Sequence, residues 1–223
     1  MMKYSKIAPT LACCALMNVE DDIKIMDSCN VDTYHVDIMD GSFVPNYCLS
    51  WDFVRALKSI TSTPIDIHLM TLNIDRDIDT AISLSVSGIA FHVEVEGNVS
   101  ERLSRISDNG IKAGLAVSPE TSISSIEQYL SELDYVLLMG VKPGFSGQKF
   151  LDATYSRIAN LSSIREKNDL SFEIYVDGGI SNEIGHECAR LGSDILVAGK
   201  PSIFRTLGKL KEQTEEFRVS TII

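Results

Sequence analysis

Four residues of this 223-residue chain are of types that bind a divalent cation or move a proton, and they stand at the ends of short apolar runs. His35-Val36-Asp37-Ile38-Met39-Asp40-Gly41 closes one run, Asp66-Ile67-His68-Leu69-Met70 a second, and Tyr175-Val176-Asp177-Gly178-Gly179 a third. If these runs are β-strands, period-two alternation points His35, Asp37 and Met39 to one face and Val36 and Ile38 to the other. The same alternation groups Asp66, His68 and Met70. Two neutral imidazoles and two carboxylates, from His35, Asp37, His68 and Asp177, make a divalent-metal site with nitrogen and oxygen ligands, Zn²⁺ first and Fe²⁺, Mn²⁺ or Co²⁺ open. A single strand-end His or Asp more often serves a turn or a structural hydrogen bond. Four of them on three strand ends shift the balance toward chemistry.

Positioning such a set requires a parallel sheet. Short β-branched runs recur at Lys6 to Pro9, Thr33 to Ile38, Pro64 to Leu69, Gly88 to Val93, Lys112 to Val117, Tyr135 to Met139, Phe172 to Val176 and Asp194 to Val197. Amphipathic segments lie between them, for instance Asn18 to Ser28 and Ser181 to Leu191, the second with Ser181 as N-cap and Gly192 as stop. Strict βα alternation implies an α/β fold with helices covering a parallel sheet. An open doubly wound sheet competes, but eight repeats without a Gly-x-Gly-x-x-Gly after the first strand favour a closed (β/α)₈ barrel. No linker or low-complexity tract interrupts the chain, so one domain over residues 1–223 is expected. The charged stretch Lys209 to Arg218 reads as the last barrel helix with a solvated face, in preference to a partner-binding surface.

Composition narrows the partners. A net charge of -11 argues against nucleic acid, so a phosphate would have to be held locally by backbone amides. The five cysteines contain no Cys-x-x-Cys pair, which points to reduced thiols in place of a disulfide framework or zinc ribbon. The amino-terminal residues lack the apolar core of a signal peptide, and no run approaches the ~20 apolar residues of a membrane span. A cytoplasmic location without membrane attachment is expected. Gly144-Phe145-Ser146-Gly147, Gly178-Gly179 and Gly199-Lys200 follow the last three strand candidates, where barrels commonly hold phosphate on backbone N–H groups. Each glycine alone is usually a turn; their joint placement carries the reading.

Taken in order, Ile7-Ala8-Pro9-Thr10, the stretch His35 to Asn46, Asp66-Ile67-His68-Leu69-Met70, Met139-Gly140-Val141-Lys142-Pro143-Gly144-Phe145-Ser146-Gly147-Gln148 and Val176-Asp177-Gly178-Gly179 resemble the ribulose-phosphate 3-epimerase family along nearly the whole chain. The resemblance implies a TIM barrel of the ribulose-phosphate-binding type and the same four metal ligands, with Asp37 and Asp177 doubling as the acid–base pair. It implies epimerisation at carbon 3 of a ketose phosphate, D-ribulose 5-phosphate to D-xylulose 5-phosphate, through a metal-stabilised enediolate. Inverting a centre beside a carbonyl requires removing a proton from one face and returning one to the other, for which two opposed carboxylates suffice. The resemblance further implies that Met39, Met70 and Met139 flank the reacting carbon, that Thr10 and His68 meet the substrate, and that the enzyme self-associates as a homo-oligomer.

The departures concern substrate size. Thr10 stands where the family commonly has Ser, and Ser146 replaces a common Gly, which strains the chain only if φ there is positive. The loop Gly199-Lys200-Pro201-Ser202-Ile203-Phe204 is a residue longer than the commonest pentose-phosphate form and resembles the allulose-6-phosphate 3-epimerase branch. His92, in Phe91-His92-Val93-Glu94, is expected behind the metal ligands, and His186 on an exposed helix face. The orotidine-phosphate decarboxylase and hexulose-phosphate synthase group carries Asp-x-Lys-x-x-Asp; Asp37-Ile38-Met39-Asp40 has no such lysine. A catalytically silent barrel that only binds a sugar phosphate is the alternative of another class, opposed by retention of both acids and both histidines.

Overall fold

Residues buried on both faces of a strand read as an uninterrupted apolar run, and the chain folds accordingly. The computed structural model describes residues 4–223; residues 1–3, which begin the amino-terminal stretch considered above, lie outside the described residues. The strands are β1 (Lys6–Pro9), β2 (Tyr34–Asp40), β3 (Tyr47–Cys48), β4 (Ile65–Met70), β5 (Gly88–His92), β6 (Lys112–Val117), β7 (Tyr135–Met139), β8 (Glu173–Asp177) and β9 (Ile195–Ala198). The helices are α1 (Val19–Ser28), α2 (Trp51–Ile60), α3 (Ile74–Ser83), α4 (Val99–Ser107), α5 (Ala153–Lys167), α6 (Asn182–Arg190) and α7 (Leu210–Ser220).

The sheet runs β1-β9-β8-β7-β6-β5-β4-β2-β3, with every pair parallel except β2–β3. Its two long edges meet. Thr10 and His35 form a parallel bridge, and the Asp32 N–H donates to the Ile7 carbonyl at 3.1 Å, so the eight parallel strands close on themselves as a (β/α)₈ barrel. All eight predicted strands are present to within about two residues at either end, as element boundaries read from sequence usually are.

Helix signals fared similarly. Ser181 Oγ accepts from the Ile184 N–H at 3.3 Å at the start of α6, and Gly192 stops it with φ +109°. The charged carboxyl-terminal stretch is α7, which buries Leu210 and Phe217 against the barrel. Two features were not anticipated. The connection from β6 to β7 carries only 3₁₀ turns, at Ile123–Ser125 and Glu127–Glu132. There Ser122 Oγ accepts from the Ser124 N–H and Ser125 Oγ donates to the Ser122 carbonyl, local bonds that compete with an α-helix. The two-residue strand β3 folds back antiparallel on Met39 and Asp40, a run too short for periodicity to reveal.

The barrel interior changes character along its axis. At the amino-terminal end Glu173 accepts from Lys6 Nζ at 2.7 Å and from Lys112 Nζ at 2.8 Å. Next come the rings of Tyr135 and Tyr175, 4.5 Å apart, with the Tyr175 hydroxyl donating to Asp66 at 3.2 Å. Small residues follow, Ala8, Ala90 and Ala116, packed with Leu137 and Val197. This packed layer forms a floor beneath the carboxyl end, where the cleft opens. Tyr135 fits because β6 carries Gly114, where an added Cβ would come within 2.5 Å of the ring. Gly114→Ala is therefore expected to cost roughly 1–3 kcal/mol by overpacking. Denaturant unfolding checks this, and an unchanged midpoint would show that the floor is looser than its geometry.

Candidate active site

Parallel register makes neighbours of residues far apart in sequence. Asp37 of β2 is the cross-strand partner of His68 of β4, and one pair further along Met39 partners Met70. Met139 of β7 likewise partners Asp177 of β8. All of these side chains point inward at the carboxyl end of the barrel, where (β/α)₈ proteins place their chemistry.

One donor atom each from His35, Asp37, His68 and Asp177 lies within 4.8 Å of all the others. His68 Nδ1 is 3.1 Å from Asp37 Oδ1 and 3.8 Å from Asp177 Oδ2. His35 Nε2 is 3.5 Å from the same Asp37 oxygen and 3.8 Å from the same Asp177 oxygen. The remaining Asp37 oxygen accepts from the Thr10 hydroxyl at 2.7 Å. Both histidines are buried, and the Asp177 side chain is 13% exposed.

Both nitrogens of His35 are buried without a hydrogen-bond partner. Such a group is costly to bury unless something else satisfies it. A divalent cation held by His35 Nε2, Asp37 Oδ1, His68 Nδ1 and Asp177 Oδ2 would do so for Nε2, and the nitrogen-and-oxygen donor set suits such an ion. Without an ion the four groups polarise one another. Burial opposes ionisation of Asp37, yet the adjacent His35 and His68 hold its carboxyl far below the usual range. Burial pushes Asp177 up to about 7, with the Asp37 charge adding to it. Burial alone would lower His35, but Asp37 and Asp177 raise it to about 9. Burial lowers His68 to about 4, with His92 and His35 reinforcing the shift.

Above the cluster opens a cleft lined by Thr10, Met39, Met70 and Met139 together with Gly144, Phe145, Ser146, Gly147, Gly178, Gly179, Gly199 and Lys200. Gly178 and Gly179 take φ of +104° and +71°, and a Cβ on Gly179 would meet the Phe150 backbone at 2.7 Å. Ser146 lies outside the positive-φ region, so its side chain adds no backbone strain. The Gly199 amide, anticipated as a free donor to an anion, is already engaged: it donates to Ser202 Oγ at 3.0 Å, an acceptor supplied by its own loop. Cys13 also lines the cleft, and nothing in its sequence context marks it. Burial pushes its thiol up to about 11, so it is uncharged. His92 sits behind the ligands, buried, with Nε2 3.0 Å from His68 Nε2. His186 is exposed on α6 and bonds the Ser220 carbonyl.

The profile of the ribulose-phosphate 3 epimerase family matches residues 6–204. The chain belongs to that family. Its relatives include proteins named ribulose-phosphate 3-epimerase from Aquifex aeolicus, 40% identical over 75% of this chain and 76% of the relative, and from Methanocaldococcus jannaschii, 33% identical over 95% and 92%. The Escherichia coli K12 protein of the same name is 34% identical over 89% and 88%. Among solved structures the fold resembles the tryptophan synthase alpha-subunit of Pyrococcus furiosus, with a TM-score of 0.69 at 16% identity over 97% of this chain and 99% of that one. Family membership and the buried His/Asp cluster together point to a divalent metal.

If the cation sits among these four residues, it must displace protons. Between pH about 7 and 9 the metal-free site carries a proton on His35, and below about 7 Asp177 holds a second. Zn²⁺ binding to chelator-stripped protein should therefore release about one proton near pH 8, and its affinity should fall more steeply as pH drops below 7. Calorimetry in buffers of different ionisation enthalpy measures this. Binding without proton release would place the ion elsewhere.

Proposed function

We propose that this chain is a one-domain, metal-dependent enzyme that interconverts D-ribulose 5-phosphate and D-xylulose 5-phosphate by inverting carbon 3. The observation that carries the reading is the convergence of two carboxylates and two imidazoles in the floor of the cleft, in a member of the ribulose-phosphate 3-epimerase family. Asp37 and Asp177 act as the acid–base pair: one takes the proton from carbon 3 on one face, and the other delivers a proton to the opposite face. Thr10 donates to Asp37 Oδ2 and so orients that carboxylate. His35, Asp37, His68 and Asp177 hold the cation, Zn²⁺ in the first place with Fe²⁺, Mn²⁺ or Co²⁺ as further options. When bound, it supplies electrostatic stabilisation for the negative charge that develops on the substrate oxygens.

Met39, Met70 and Met139 present apolar, polarisable surfaces beside the reacting carbon. They neither donate nor take protons there and keep water from that carbon. The glycine-rich mouth receives the phosphate: Gly144, Phe145, Ser146 and Gly147 from one loop, Gly178 and Gly179 from the next. Gly199 and Lys200 come from the last, with the Lys200 ammonium as cation. The substrate is small, and neither nucleic acid nor membrane is a partner in this reading. No helix among the described residues is long and apolar enough to cross a membrane. We place the enzyme in the cytoplasm as a homo-oligomer, in keeping with free thiols on all five cysteines and the habit of the family.

A second reading, D-allulose 6-phosphate as substrate, is favoured by the longer loop from Gly199 to Phe204, which borders the phosphate end of the cleft. Comparing turnover of the two ketose phosphates at matched concentrations separates the readings. A large preference for the pentose is expected; preference for the hexulose would keep the mechanism and change the substrate. Turnover of neither would favour a barrel that only binds a sugar phosphate. Asp177→Asn is expected to abolish epimerisation while far-UV circular dichroism stays unchanged. Near-normal turnover by that variant, measured on metal-replete protein, would remove Asp177 from the acid–base pair.

A further inference from the structure

The carboxyl end of the barrel holds a third buried histidine that the proton chemistry above does not use. The His92 ring packs 4.6 Å from Phe43 and 5.1 Å from His68, centroid to centroid. Its Nε2 is 3.0 Å from His68 Nε2, a distance at which one nitrogen must donate and the other accept. On its other side His92 Nδ1 lies 2.9 Å from Glu94 Oε2. Glu94 Oε1 in turn accepts from the Ser118 N–H at 2.9 Å, and the Ser118 carbonyl accepts from the Arg157 guanidinium at 2.9 Å. The carboxylate is thus fixed in place at the edge of the cluster.

An ionised carboxylate only accepts hydrogen bonds, so Glu94 at one end of the chain and Asp37 at the other each call for a proton facing them; a cation seated among the four donor atoms takes the Asp37 side and leaves Glu94 to set the direction. Facing Glu94, His92 carries its proton on Nδ1, which leaves the lone pair on Nε2. His68 must then carry its proton on Nε2 and donate to His92. With the cation bound, its Nδ1, 3.1 Å from Asp37 Oδ1 and 3.8 Å from Asp177 Oδ2, offers its lone pair to the metal on the side where the four donor atoms gather; without the cation the same Nδ1 would donate to Asp37. We propose that Glu94 and His92 are positioning residues of the metal centre: through one directed hydrogen-bond chain they hold His68 in the form that offers Nδ1 to the cation. The proposal rests on the reading of His35, Asp37, His68 and Asp177 as the ligand set. Carboxylates commonly orient a metal-binding imidazole directly. Here a second imidazole is interposed, which moves the carboxylate out of the packed interior to a side chain 24% exposed.

Glu94→Gln tests the direction with little change of size. Its carbonyl replaces the carboxylate as acceptor for the Ser118 N–H, and its amide then donates to His92 Nδ1. The His92 proton moves to Nε2 and the His68 proton to Nδ1, into the ligand position. Zinc affinity of the full chain is measured by competition with a chromophoric chelator. The histidine tautomers are read from long-range ¹H–¹⁵N spectra of zinc-loaded and metal-stripped protein. The expected result is His92 with Nδ1 protonated in the zinc-loaded wild type, and in Glu94→Gln a shift to Nε2 with zinc affinity weakened about ten- to a hundred-fold. Thermal unfolding of the metal-stripped variant should stay close to wild type. Wild-type zinc affinity in Glu94→Gln overturns the proposal. So does a His92 protonated on Nε2 in the zinc-loaded wild type, a measurement that decides the matter even if the variant does not fold. A wild type that binds no zinc, or keeps its affinity in His35→Asn, overturns the ligand reading itself and the proposal with it.

Discussion

Two carboxylates held within a few ångströms in a dry pocket repel each other, and the rest of the structure is organised around that constraint. Asp37 and Asp177 come from strands far apart in the chain, and each is placed beside the imidazoles of His35 and His68. Coulombic attraction is strong where water is scarce, so the histidines hold Asp37 ionised while Asp177 rises toward neutrality. A cation in the same place would relieve the repulsion outright, and it would satisfy Nε2, one of the two orphaned nitrogens of His35. The arrangement that makes the site costly to bury is the one that fits a metal and a proton-transferring pair.

Holding such a site requires a frame that does not relax. The barrel supplies it through closure: the Thr10–His35 bridge that joins β1 to β2 is made by two residues of the site itself. Below, the Tyr135–Tyr175 layer and the Glu173 link to Lys6 and Lys112 fill the interior, so the ligands stand on packed side chains. The mouth above them combines two kinds of lining. Methionines from the ends of β2, β4 and β7 line its floor, and glycine-bearing loops after β7, β8 and β9 line its rim.

Much of this was legible in the sequence because parallel strands announce themselves twice, by apolar runs and by the strict βα alternation. His35, Asp37, His68 and Asp177 were readable because each lies on the inward face of a strand, in a run whose alternation shows which way its side chains point. What escaped has physical reasons. The β6–β7 connection looked like any other, but its serines satisfy the backbone locally and keep it in 3₁₀ turns. The engagement of the Gly199 amide by Ser202 depends on how one loop folds on itself, which residue types do not encode. Cys13 joins the cleft only because its turn follows β1 closely. His92 was placed behind the ligands from its motif, but its contact with His68 needed the register of β4 against β5.

The central claim, that two separate carboxylates move the proton from opposite faces of carbon 3, is tested most directly by running the reaction in D₂O with metal-replete protein and D-ribulose 5-phosphate. The product is followed by NMR at carbon 3. The account predicts deuterium at that position in essentially all xylulose 5-phosphate formed from the first turnover, because the proton delivered comes from a group that exchanges with solvent while the one removed stays on the other. Product that retains the original protium would contradict it, since the proton would then have been carried across by a single group.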